Sequence, residues 1–202
     1  MVAAIEAVDL RAPWRDVAPS LRVTLPRRRP LPPGTERLPT RSFPPGIRVG
    51  LGLDIGPAML FVGEEQLAQW GVSIEQAFDC ALTNVRERVR QRRQFALLHE
   101  RIAGVPTVAF QSREGWASAL LLLPDELARV MGERSGLVIA PMRDLVLMLP
   151  LQTDPGLAEL ILEEFAEADM NALDLPPFSL VDGLLWTSLP DPATVRNGAR
   201  MH

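Results

Sequence analysis

A chain of 202 residues, 47% apolar and with a net charge of −4, is long enough to fill one core and short for two, so it reads as one domain with appendages. One cysteine, Cys80, excludes an intramolecular disulfide, and two histidines, His99 and His202, are too few to help build a zinc cluster. All 21 basic residues are arginine, which leaves no lysine to act as a Schiff-base nucleophile.

The first residues hold Glu6 and Asp9 within their only apolar stretch, unlike a secretory signal, so a reducing cytoplasm is the expected compartment. The first 50 residues carry nine arginines against four acids and nine of the 19 prolines, whereas the remainder carries 12 arginines against 21 acids. This asymmetry predicts a basic N-terminal arm over residues 1–46, an acidic folded domain over 47–190 and a flexible tail over 191–202. Within the arm, Leu21 to Leu25 alternates and suits an edge strand. Pro26 to Pro33 then reads Pro-Arg-Arg-Arg-Pro-Leu-Pro-Pro, in which fixed φ angles and missing amide donors favour an extended, polyproline-like path.

Ile47 to Leu53 and Ala58 to Val62 are predicted strands joined through Gly56-Pro57. Gly50, Gly52 and Gly56 lack the following helix that a nucleotide-binding loop requires, and they read as hairpin glycines. Ser73 with Gln76 forms a capping box that opens the best helix, whose stripe of Ile74, Ala77, Phe78, Ala81, Leu82, Val85 and Val89 predicts one buried face. His99-Glu100 starts like a zinc-peptidase motif, but the second histidine is replaced by Ala103, and His99 reads as a loop residue.

Thr107 to Gln111 and Ser118 to Leu123 are then predicted as strands around Arg113-Glu114-Gly115, with a short helix from Pro124-Asp125 to near Gly132. Leu137 to Ala140 and Leu145 to Leu149 follow around Met142-Arg143-Asp144. That apolar region, Gly136 to Leu151, is broken by Arg143 and Asp144 and falls short of the roughly 20 apolar residues a spanning helix requires, so no membrane partner is expected. Asp154-Pro155 opens a helix with Leu157, Leu160, Ile161 and Phe165 on one face, and Asp182-Gly183 joins two last strands, Phe178 to Val181 and Leu184 to Thr187. The layout predicts an α+β fold: a largely antiparallel mixed sheet of strand-strand-helix units, with helices on one face, preceded by the extended arm.

Several phrases, in order, carry a resemblance: Glu64-Glu65-Gln66-Leu67 with Trp70-Gly71-Val72-Ser73, then Ala81-Leu82-Thr83-Asn84-Val85, Glu114-Gly115 leading to Leu120-Leu121-Leu122-Leu123-Pro124, and Ala140-Pro141-Met142-Arg143-Asp144. Over roughly Val49 to Phe178 the chain resembles the YtpQ-like family of uncharacterised bacterial proteins, and departs from it at Ala119, where an arginine is expected. The resemblance implies a bacterial, cytoplasmic α+β protein and lends no activity, catalytic residue or cofactor.

The candidate chemistry is sparse. Ser118 lacks the glycine-framed elbow of a hydrolase serine. Arg143-Asp144 reads either as a mutual ion pair that solubilises a turn or as a grip for a carboxylate or phosphate. With Glu114 and Trp116 in the equivalent turn of the preceding unit, these four residues are the candidate ligand site. In the arm, Arg27, Arg28 and Arg29 are the candidate partner contacts, although the arm taken by itself reads first as a tether or wrap on its own acidic body, for example Glu159, Glu163, Glu164 and Glu167. Interleaved prolines and the negative net charge disfavour nucleic acid. The leading expectation is a non-catalytic accessory module that binds another protein. The alternative is an enzyme or small-anion binder at Arg143, Asp144, Glu114 and Trp116. No metal or cofactor is expected, and the oligomeric state is left open.

Overall fold

In the computed structural model, which describes residues 11–28, 38–54, 59–91, 95–169 and 172–187, the chain forms two compact units, Met1–Arg93 and Gln94–His202. Neither unit coincides with the 47–190 domain read from composition. The reason lies in residues 11–28 and 38–46, whose apolar side chains are built into the first unit instead of standing apart as an arm. The triplet's last member Arg29, the run from Pro30 to Pro33, the turn at Gly56-Pro57 and the tail over 191–202 lie outside the described residues.

In the first unit a short helix α1 (Trp14–Val17) and a 3-10 turn (Ala18–Ser20) lead into β1 (Leu21–Thr24). Strand β2 (Arg41–Phe43) is followed by the long β3 (Ile47–Asp54) and by β4 (Met59–Phe61). Strand β3 pairs antiparallel with β1 on one side and with β2 and β4 on the other. Alternation puts Ile47, Val49, Leu51 and Leu53 on one face, where all four are buried. Gly50 and Gly52 point the other way: a Cβ on Gly50 would stand 2.7 Å from Thr24 Oγ1, and one on Gly52 2.7 Å from Met59 Cγ. Cross-strand neighbours lie over both positions, which is the structural role the hairpin reading assigned to these glycines.

Helix α2 (Glu64–Trp70) ends at Gly71 with φ of 69°. Helix α3 (Ile74–Gln91) begins with the reciprocal cap read from the sequence: Ser73 N donates to Gln76 Oε1 at 2.8 Å and Gln76 N to Ser73 Oγ at 3.2 Å. Its stripe of Ala77, Phe78, Ala81, Leu82, Val85 and Val89 is buried. Asn84 Nδ2 ties the helix to the 3-10 turn and to the start of β1 by donating to Ala18 O at 2.8 Å and Leu21 O at 3.0 Å.

The second unit is a six-stranded sheet, all of whose pairs are antiparallel, in the order β10-β9-β7-β8-β6-β5. Its strands are β5 (Phe95–Ile102), β6 (Val105–Ser112), β7 (Gly136–Met142), β8 (Leu145–Leu149), β9 (Phe178–Val181) and β10 (Leu184–Trp186). The last hairpin turns at Asp182 and Gly183, both at positive φ (52° and 81°), as an Asp-Gly pair between apolar runs predicts. Helix α5 (Pro155–Ala168), capped by Asp154 Oδ1 accepting from Gly156 N, covers the face carrying Ala109, Leu137, Ile139, Leu147 and Leu149. Leu160 is not on its packed face: it is 52% exposed, and Ala158, Ile161, Leu162 and Phe165 do the packing. The opposite face of β6 carries Phe110, against which Trp116 packs at a ring separation of 5.6 Å.

Two expectations need correction. Ser118 to Leu123 is no strand but part of a 3-10 helix, Ala117–Leu122, followed by α4 (Pro124–Met131), which Gly132 ends with φ of 75°. Six successive buried residues carry no periodicity to tell strand from helix, and the small side chains of Ala117, Ser118 and Ala119 suit the tighter turn. The hairpin partner of β6 is instead the preceding β5, with β8 on the other side of β6, and His99 sits on β5 rather than in a loop. The β5–β6 hairpin turns at Ala103-Gly104, with φ of 48° and 81°.

Candidate functional site

The turn between β7 and β8 is bound to the loop after β6 through main-chain groups. Ser112 N donates to Asp144 O at 2.8 Å, and both Ser118 N and Ser118 Oγ donate to Arg143 O at 3.0 Å. The Ser112 hydroxyl, almost wholly buried, accepts from Trp116 N and Ala117 N at 3.0 Å each and so fixes the loop's far side. The two turns singled out from the sequence therefore converge. Gly115 adopts φ of +68°, and a Cβ there would stand 3.4 Å from Arg143 Nη2, so the guanidinium lies over the glycine backbone.

The four candidate residues nonetheless have different fates. Trp116 is 2% exposed and packs edge-on against Phe110 and Phe95, as a core residue. Glu114 is exposed, and Asp144 contributes its main-chain carbonyl. Among the described residues no carboxylate lies at ion-pair distance from Arg143, so Arg143 and Asp144 do not neutralise each other. Arg143 Nε is buried without a hydrogen-bond partner.

The arginines of the first unit are largely engaged. Arg22 is buried and donates to Pro19 O and Leu21 O. Arg41 stands 3.4 Å from Asp79 and 4.9 Å above the Phe43 ring. Of the candidate triplet, Arg27 is half-buried and Arg28 exposed. Cys80 donates to Ala18 O at 3.6 Å, and burial, reinforced by the Glu87 carboxylate, pushes its thiol above the ordinary range. It is thus held as a poor nucleophile at neutral pH. Among the described residues no group of three His, Cys, Asp or Glu side chains could hold a metal, and no helix is long and apolar enough to cross a membrane.

A second locus escaped the sequence reading. Strand β5 is eight residues long, ends the sheet order and, among the described residues, pairs only with β6. Its residues from Ala96 to Arg101 are exposed, and Leu97 (37%) and Leu98 (43%) turn apolar side chains to opposite faces in water. The outward backbone groups of such a strand form a ready template for a further strand. Beside it opens a cavity of about 450 Å³, bordered by His99 and Glu100 of β5, Val108 of β6 and Met148 of β8. No family model, curated protein or solved structure matches this chain.

Proposed function

We propose that the protein is a non-catalytic accessory module that binds another protein, and that the partner adds an extended strand to the open edge of β5. The carrying observation is the edge itself: eight residues, paired on one side, with Leu97 and Leu98 exposed on opposite faces. Native edge strands are usually kept short, bulged, covered or guarded by charged side chains; among the described residues β5 is long and unbulged, and its charges, Glu100 and Arg101, stand only at its far end. Strand addition recruits main-chain hydrogen bonds for affinity and leaves specificity to neighbouring side chains. The proposed compartment is the cytoplasm, since a single cysteine leaves no disulfide for an oxidising environment to form. Resemblance to the YtpQ-like family belongs to the same reading.

The test is a tagged full-length protein purified from its host beside the double variant Leu97→Lys/Leu98→Lys. Both side chains are exposed, so unfolding free energy should change by no more than about 0.5 kcal/mol, while a partner retained by wild type should be lost. Equal retention by wild type and a folded double variant would refute the edge as the binding surface.

One observation favours a second reading, a small-anion site. The Arg143 guanidinium, laid on Gly115, has no carboxylate at ion-pair distance among the described residues, and a planar fork of donors suits a carboxylate or phosphate. On this reading inorganic phosphate or citrate raises the melting temperature of wild type and not of Arg143→Ala. Identical shifts in both proteins would dispose of it.

A further inference from the structure

Beyond the strand-addition reading, we infer that the same edge pairs with itself: before the partner arrives, β5 of one molecule lies antiparallel against β5 of a second copy, with Leu98 of each on the two-fold axis.

The backbone fixes which groups face outward. The β5–β6 hairpin closes through Ala103-Gly104, so Ile102 and Val105 are the hydrogen-bonded pair beside the turn, and bonded and unbonded pairs alternate from there. Two observations agree with this phase. Pro106, opposite Arg101, has no N–H to donate, and Ser112, opposite Phe95, donates its N–H to Asp144 O on the far side of β6. Phe95, Leu97, His99 and Arg101 therefore aim their N–H and C=O groups away from β6, towards the open side.

Self-pairing must set outward residues opposite outward residues, and the two-fold axis makes every contact reciprocal. These conditions leave few registers. With Leu98 on the axis, Leu97 stands opposite the second copy's His99, Phe95 opposite its Arg101 and Ala96 opposite its Glu100. Leu98, 43% exposed, then meets its own image at an unbonded position, where side chains approach most closely. On the other sheet face Leu97, 37% exposed, packs beside the His99 ring. There too the Arg101 guanidinium reaches the outer side of Phe95, whose inner side is held by Phe110 and Trp116 at ring separations of 4.9 and 6.5 Å. Other registers lose these contacts. An axis at His99 sets Leu98 against Glu100 and Leu97 against Arg101, an axis at Glu100 opposes two carboxylates, and an axis at Leu97 shortens the overlap to residues 95–99. A partner strand occupies the same outward groups, so dimerisation and partner binding compete for one edge.

The experiment uses the full chain in sedimentation velocity from micromolar to millimolar concentration. Wild type should show a reversible monomer–dimer equilibrium. Leu98→Lys and Leu98→Glu, which place like charges on the axis, should each sediment as monomers with unchanged circular dichroism, and their equimolar mixture should dimerise again. In a Cys80→Ser background, Leu98→Cys should oxidise to a covalent dimer, because an unbonded pair on the axis lies within disulfide reach, while His99→Cys and Leu160→Cys should do so about tenfold more slowly. A wild type that stays monomeric overturns the inference, as does a dimer indifferent to both charged variants, a mixture that fails to dimerise, or faster oxidation at position 99 than at 98. A monomer that still cross-links to another protein from position 98 removes self-pairing alone. A dimer without that adduct removes the strand-addition reading alone.

Discussion

Individual residues in this protein are constrained mostly by how closely backbones approach. Gly136 is the sharpest case: an added Cβ would stand 2.7 Å from Met148 Cγ and 2.9 Å from Leu149 O. The methionine can swing aside, but the carbonyl belongs to strand β8 and cannot. Gly136→Ala should therefore cost about 1–3 kcal/mol through overpacking, read as a lower urea midpoint with an unchanged slope. An unchanged midpoint would mean that the strands separate there freely. Arg143 illustrates a different constraint. Its carbonyl accepts two bonds from Ser118 and holds the turn, while its side chain is left without a carboxylate partner among the described residues. The turn's architecture therefore does not depend on the guanidinium, and Arg143→Ala separates ligand binding from folding.

Elements whose ends are marked by side-chain chemistry follow the sequence closely. The Ser73–Gln76 box opens α3 in both hydrogen bonds, so Ser73→Ala should destabilise the protein by about 1 kcal/mol, measured by chemical denaturation. A loss near zero would show that packing of the Phe78 face sets the helix start unaided. Asp154 before Pro155 and Asp182-Gly183 between apolar runs are equally legible, because a cap and a two-residue turn each need particular residues. Legibility fails where those marks are missing. Strand β5 lacks clean alternation and is exposed on both faces, and its hairpin turns on Ala103-Gly104 instead of an Asn-Gly or Asp-Gly pair. The buried run from Ala117 to Leu122 offers no polar position to reveal its period. On α5, Leu160 and Ile161 are adjacent apolar residues, and only the position of the sheet decides that Ile161 is inside. The candidate site was half legible for related reasons. Convergence of the turns at Glu114 and Arg143 was left open by the sequence, because it is made by main-chain bonds from Ser112 and Ser118, and the burial of Trp116 depends on Phe95, a residue of the strand that was missed.

At the scale of the molecule, two antiparallel sheets in two units meet their edges differently. In the second unit α5 covers one sheet face and Trp116 packs against the other, while among the described residues the outer edge of β5 has no paired strand. The most direct measurement is photo-cross-linking in the host from a reactive residue placed at Leu98, with Leu160 on α5, exposed to a similar degree, as the control. A discrete adduct with another protein from position 98, absent from position 160 and abolished by Leu97→Lys, is the predicted result. The same adducts from both positions, or none from position 98, would contradict a partner strand on β5.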